Sequence, residues 1–211
     1  MVDGAWRQRV VVMVRDPVAG AVKTRLAQGL GVARATGFYR VASGHVIERL
    51  RSDSRWETWL AVTPDTAIGT SAWPRDIPRC GQGGGDLGKR MQRLMDEMPP
   101  GPLIIVGTDI PEISPARVAR AFVVLGRSDV VFGPAEDGGY WLVGPARRHS
   151  VPRLFKNVRW SSAHTLADTE ANVRDLAVAH VDVLDDVDDV SSFSRLGPLG
   201  GRRILPVRAD S

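Results

Sequence analysis

The chain has a single cysteine, Cys80, among 211 residues. That excludes an internal disulfide and fits a reducing, cytoplasmic setting. Long apolar runs are also missing, and none approaches the roughly 20 residues needed to cross a bilayer. Residues 1–9 carry no signal-peptide core, and the apolar run at 10–14 is too short to serve as one. Charge of one sign is scarce as well: 28 Lys and Arg face 24 Asp and Glu, a net charge of +4. The basic residues are scattered rather than massed in one helix or tail. This speaks against a nucleic-acid binder or a membrane-bound protein and favours a small anionic ligand such as a nucleotide. Two phosphate-binding signatures are absent, the Gly-Lys-Ser/Thr ending of a Walker A loop and the Gly-x-Gly-x-x-Gly dinucleotide fingerprint. There is no internal repeat and no interdomain linker. The length suits one core, so a single domain is expected over residues 1–196, with a loosely held Gly-, Pro- and Arg-rich tail at 197–211. The oligomeric state is left open.

The clearest element is Leu103-Ile104-Ile105-Val106, an apolar run of the kind buried on both faces in the middle of a parallel sheet. It stops at Gly107, Asp109 follows, and Pro111 prevents the strand from continuing. Ser114 and Pro115 read as an N-cap and first helical residue. Asp109 is thus expected at the carboxyl end of a central strand, where open α/β sheets bind ligands. Residues 9–14 and 56–62 read as further buried strands, 31–50 as a helix, and 128–133 and 178–184 as later strands. Helices are expected at 87–98, 116–125 and 163–176. Strands alternating with helices imply an α/β fold with three αβα layers and a mostly parallel central sheet.

Four stretches carry candidate chemistry. The loop after the first strand runs from Arg15 through Gly20 to Lys23 and Arg25. Its backbone amides, the following helix start and two cations would suit a polyphosphate, although a solvated basic loop would look the same. In Gln82-Gly83-Gly84-Gly85-Asp86 the glycines would let the main chain approach a ligand, and Asp86 is placed either to cap the next helix or to meet that ligand. Glu136-Asp137-Gly138-Gly139 is either a tight hairpin turn or a site. The surrounding prolines and glycines exceed what a hairpin needs and favour a site. The acidic run 185–189 is either a solvated turn capping a helix at 191–196 or a metal ligand. Cys80 is expected as buried filler rather than a nucleophile. Tyr39 and His45 are expected in packing and surface roles.

Taken in order, these stretches resemble one family. The blocks are Pro17…Gly20-Ala21-Val22-Lys23-Thr24-Arg25-Leu26, Gln82…Gly85-Asp86-Leu87-Gly88…Arg90-Met91, Gly107-Thr108-Asp109-Ile110-Pro111, Gly133-Pro134-Ala135-Glu136-Asp137-Gly138-Gly139-Tyr140, and Leu154-Phe155…Trp160. They are similar to bacterial nucleotide-diphospho-sugar transferase-like proteins of the glycosyltransferase-A fold, of the radical-SAM/selenodomain-associated type. A more distant likeness is to the molybdenum-cofactor and phospholactate guanylyltransferases. The resemblance implies a metal-dependent transferase acting at a nucleotide diphosphate, a glycosyltransferase first. The alternatives are a nucleotidyltransferase using an NTP and a phosphorylated acceptor, or an inactive nucleotide-binding accessory protein. It further implies Arg15, Gly20, Lys23, Arg25, Gln82, Gly85 and Asp86 at the nucleotide, with Lys23, Arg25 and Asp137 in catalysis. Glu136, Asp137, Gly138, Gly139 and Trp160 would lie at the acceptor or sugar, and Asp109 and Asp188 would bind Mg²⁺ or Mn²⁺. Two departures stand out. Gly107 leaves Asp109 without the separated Asp-x-Asp pair, and Asp188 is followed by Asp-Val-Ser-Ser rather than Thr-Pro-Glu-Asp.

Overall fold

The computed structural model describes residues 6–185. Asp188, the expected helix at 191–196, most of the acidic run and the tail at 197–211 lie outside the described residues. Seven strands form one sheet in the order β3-β2-β1-β4-β6-β5-β7. β1 (Arg9–Arg15) pairs in parallel with β2 (Glu57–Thr63) and with β4 (Leu103–Val106), and β2 pairs in parallel with the short β3 (Arg79–Gly81). β6 (Tyr140–Pro145) runs against both its neighbours, β4 and β5 (Val130–Pro134), and β7 (Val178–His180) pairs in parallel with β5. The sheet is mostly parallel, as expected, with β6 reversed. β5 therefore ends, and β6 begins, at the same edge as the carboxyl ends of β1, β2 and β4.

The side-chain period of two explains why β1 is apolar throughout. Val10, Val12 and Val14 pack on one face, while Val11 packs on the other. The first face is covered by α2 (Val32–Arg51) and α4 (Pro115–Leu125) through Val46, Ile47, Leu50, Val118 and Phe122. The second is covered by α3 (Leu87–Glu97) through Met91, Leu94 and Met95, and by α5 (Thr165–Ala171) through Leu166. Three αβα layers result. Trp73, in the loop region before β3, is 3% exposed and packs edge-on to Tyr39 within the first cluster.

Capping follows the residues. The Ser114 hydroxyl accepts from the Arg117 amide, with Pro115 in the first turn of α4. Asp86 Oδ1 accepts from the Lys89 amide at 2.8 Å and starts α3. Two elements are shorter than their apolar patterns suggest. Strand β7 ends at His180 rather than continuing unbroken to 184. After the Val181 amide donates to the Phe132 carbonyl at 2.9 Å, the next residue due to donate from β5 is Pro134, which has no N–H. Pairing resumes only at Leu184, whose amide donates to the Pro134 carbonyl at 3.1 Å. The helix expected at 163–176 spans only Thr165–Ala171. Beyond it the Asn172 side-chain Nδ2 donates to the Leu154 and Lys156 carbonyls, each at 2.8 Å.

No helix among the described residues is long and apolar enough to cross a membrane. Cys80 lies on β3 with its thiol 3.9 Å from the Leu60 carbonyl. Burial first, then the nearby charges of Glu97 and Asp65, push its pKa up to about 11. A free thiol, with a pKa near 8.5, is about one-quarter thiolate at pH 8, whereas Cys80 would be on the order of 0.1%. Iodoacetamide at pH 8 should therefore modify the native chain more than about tenfold more slowly than the urea-unfolded chain. The native state keeps this proton longer than the unfolded state does. Stability from this group is thus complete below about pH 9 and declines as the pH rises toward about 11.

Candidate functional site

The carboxyl ends of β1, β2 and β4 and the start of β6 surround a cavity of about 510 Å³. Its charged wall comes from Arg15 at the end of β1, Lys23 at the end of the loop that follows, Arg25 in the helical turn after it, and Arg90 on α3. Its far side is Gly107-Thr108-Asp109, past the end of β4, and its interior is apolar, with Met13, Met91, Ile105 and Val143. Four cations and one carboxylate lining a partly apolar cleft suit an anionic ligand with an apolar or aromatic portion.

Lys23 is the N-cap residue of α1 (Thr24–Leu30) and has left-handed backbone angles, φ 48° and ψ 47°. Its ammonium lies 2.7 Å from Asp109 Oδ1, and its side chain is only 5% exposed, against 51% for Asp109. The loop is thus fastened across the sheet to the turn after β4. Its root is held from behind by Tyr39 on α2. The Tyr39 hydroxyl accepts from the Arg15 amide at 2.8 Å and lies 3.2 Å from the Arg15 carbonyl, to which it donates. Burial, and secondarily the Asp109 charge, raise the Tyr39 pKa.

Gln82 is 4% exposed. Its amide nitrogen donates to the Val14 carbonyl at 3.1 Å and the Ala61 carbonyl at 2.8 Å, joining the ends of β1 and β2 under the cavity. The glycines around it have local reasons. A Cβ on Gly81 would sit 2.5 Å from the Asp65 carboxylate, which also accepts from the Gly83 amide at 3.0 Å. Gly85 has φ +98° as the chain turns into α3. Asp86 has the capping role. Gly20, Gly85 and Asp86 flank the cavity loops without lining its wall.

Glu136, Asp137, Gly138 and Gly139 form the turn between antiparallel β5 and β6, at the same sheet edge as Asp109. Asp137 Oδ1 accepts from the Gly139 amide at 2.8 Å, an Asx turn that closes the hairpin. None of these four lines the cavity; Tyr140 and Trp141, directly after them, do. Trp160 packs with Phe155, ring centres 5.9 Å apart, above Gly88 at the start of α3. The structure thus brings Arg15, Lys23, Arg25, Gln82 and Asp109 together. It places Asp137 on their edge but within the hairpin, and Trp160 against α3.

The cavity wall also holds residues to which the sequence assigned no site role. Arg90 follows Asp86 by one helical turn, and its Nε donates to the Gly85 carbonyl at 2.9 Å. That i, i+4 spacing from a capping residue was the available signal. Tyr39 and Tyr140 had no local signal, because only the tertiary fold carries them to this edge. The Tyr140 hydroxyl is buried near the Thr169 side chain, and burial raises its pKa.

Among the described residues, no three His, Cys, Asp or Glu side chains gather to hold a metal ion. Asp109 offers one half-exposed carboxylate with an oxygen on Lys23. Such a donor set fits a hard cation only if phosphate oxygens and waters complete its shell, as Mg²⁺ commonly accepts.

Solved structures share this fold. A protein from Desulfovibrio desulfuricans G20, proposed by its name to be a nucleotide-diphospho-sugar transferase, is 27% identical, with a TM-score of 0.85 over 92% of this chain and 88% of that one. CMP:2-keto-3-deoxy-manno-octonic acid synthetase in complex with CTP is 12% identical, with a TM-score of 0.57 over 93% of this chain and 99% of that one. Rv0371C of Mycobacterium tuberculosis H37Rv, solved in complex with manganese, is 15% identical, with a TM-score of 0.54 over 91% of this chain and 98% of that one. No curated protein matches the chain. The fold is that of the nucleotide-diphospho-sugar transferases, with a distant likeness to nucleotidyltransferases. One family model matches residues 46–162, more than half of the sequence, and by that match the chain belongs to the family described as uncharacterized proteins conserved in bacteria (DUF2064).

Proposed function

We propose that the cavity binds the diphosphate of a nucleotide or nucleotide-sugar, and that the protein is a transferase, a glycosyltransferase in the first reading. The observation that carries this is the convergence of Arg15, Lys23, Arg25 and Asp109 on one cleft at the carboxyl edge of the sheet. The cations would bind phosphate oxygens and offset the charge that builds on the departing diphosphate. The apolar interior, with Met13, Met91 and Ile105, would exclude water around the reacting bond. Asp109 is the residue that would hold Mg²⁺ or Mn²⁺, with Asp188 as the second candidate. A cation bound there supplies further charge neutralisation at the phosphates. On this reading Asp137 and Glu136, in the neighbouring hairpin, face the acceptor, and Asp137 would take the proton of its hydroxyl.

The second reading, nucleotidyl transfer from an NTP, is favoured by the likeness to the CTP-bound synthetase. One assay separates the two. NDP-sugars and NTPs are offered with Mg²⁺ or Mn²⁺, and the products are identified. Release of NDP supports glycosyl transfer, and pyrophosphate release with a phosphorylated acceptor supports nucleotidyl transfer. The same panel read by thermal shift tests binding alone. A ligand at a hundred times its dissociation constant adds about 2.7 kcal/mol, a rise of roughly 5–11 °C for a domain of this size. No shift with any nucleotide, with or without metal, would refute the nucleotide site.

A further inference from the structure

We propose that Lys23 is a built-in counter-cation of Asp109, which a polyphosphate must draw away before a divalent cation can take the carboxylate. Cation and polyphosphate then bind cooperatively, and the cation alone binds weakly. The proposal rests on the nucleotide-site reading above and adds to it the coupling between the two ligands.

The Lys23 ammonium occupies Asp109 Oδ1 at 2.7 Å. That carboxylate is the group a hard cation would coordinate, and the ammonium already holds one of its two oxygens with the lysine side chain only 5% exposed. The backbone at Lys23 is left-handed, φ 48°, which disfavours a residue bearing a Cβ. The contact with Asp109 is therefore made in spite of local preference. Arg15, Arg25 and Arg90 line the same cavity. A bare divalent cation entering it meets four positive side chains and must either displace the ammonium or share one carboxylate with it.

A polyphosphate reverses each of these oppositions. Its oxygens neutralise the arginines and offer the ammonium a better partner, and a lysine's flexible four-carbon stem can swing to meet them. Asp109 is then released to the cation. By linkage, a cation that gains affinity from bound polyphosphate raises the affinity of the polyphosphate by the same factor.

The test is a Mn²⁺ titration of the full-length protein without nucleotide, following free Mn²⁺ by EPR. Wild type is compared with Lys23→Met and Lys23→Gly, the second of which suits the left-handed backbone and guards against misfolding. Lys156→Met, at an exposed lysine, serves as the charge-matched control. Circular dichroism checks that each variant is folded. Wild type should bind Mn²⁺ weakly, both Lys23 variants at least about tenfold more tightly, within the usual range of couplings between sites, and Lys156→Met as wild type does. Lys23 variants that bind no more tightly than wild type would overturn the proposal, as would an equal gain in Lys156→Met. Gained binding that survives Asp109→Asn in the Lys23→Met background would overturn it too, by placing the cation elsewhere. Failure of the underlying reading would appear separately, as wild type with no thermal shift from any nucleotide.

Discussion

Replacing Lys23 and Arg25 together by alanine should weaken binding of nucleoside diphosphates by about a hundredfold or more at low ionic strength. Hydrogen bonds to charged groups contribute about 1.5–3 kcal/mol each. Two of them lost from phosphate oxygens would give about 3–6 kcal/mol. The lower half of that range is the better expectation, because Arg25 is exposed and water competes for its contacts. The fold should survive the change. Asp109 loses its partner, but its side chain is 51% exposed and can be hydrated. Calorimetric titration of wild type and double variant at low and high salt makes the check. The gap should narrow as salt rises, since screening weakens the wild-type contacts that the variant no longer has. Equal affinities at low salt would remove the β1 loop from the nucleotide site, and with it the main support for the transferase reading.

How far this site could be read from the sequence depended on whether a residue's role is set locally. Strand β4 announces itself by four consecutive apolar residues, and Gly107 and Pro111 bracket Asp109 at its end, so the position of that carboxylate was legible. So was the cap at Asp86, because a helix N-terminus needs an acceptor and the chain supplies one immediately before an amphipathic stretch. The β1 loop was legible as cationic, and its lysine and arginine do line the cavity. The ion pair between Lys23 and Asp109 was not legible, since it joins residues 86 positions apart across neighbouring strands. Nor was the part played by Tyr39, whose hydroxyl fixes Arg15 from a helix that reads as an ordinary amphipathic one. The reversal of β6 was half visible in the Asp-Gly pair before it, which is a hairpin signal. The extra glycines and prolines drew the reading toward a ligand site. In the structure two of those residues also have a packing reason to be glycine, Gly133 against the Trp141 ring and Gly138 against Ala163, so their presence does not by itself require a ligand.

Gly138→Ala should be among the most destabilising single changes in the chain, at about 3 kcal/mol, whether or not any ligand is bound. Two separate costs add up. The backbone there has φ +84°, a conformation that side-chain-bearing residues rarely adopt. A Cβ at this position would also lie 2.4 Å from the Ala163 carbonyl oxygen and 2.6 Å from its Cα, main-chain atoms that cannot swing aside as a side chain would. The Gly138 carbonyl meanwhile accepts from the Leu166 amide at 3.0 Å, so moving the turn also disturbs the start of α5. Gly20→Ala supplies the comparison. Its φ is +80°, but nothing lies within 4 Å of its Cβ position, so it should show the backbone cost alone, about 1 kcal/mol. For a domain of this size the melting temperature should fall by roughly 6–12 °C in Gly138→Ala and by roughly 2–4 °C in Gly20→Ala. Asparagine, which tolerates left-handed angles, should not rescue position 138, because the clash with Ala163 remains. Near-wild-type stability of Gly138→Ala, combined with a loss of acceptor binding, would reverse this account and return Gly138 from the packing of the hairpin to the sugar site that the family resemblance implies.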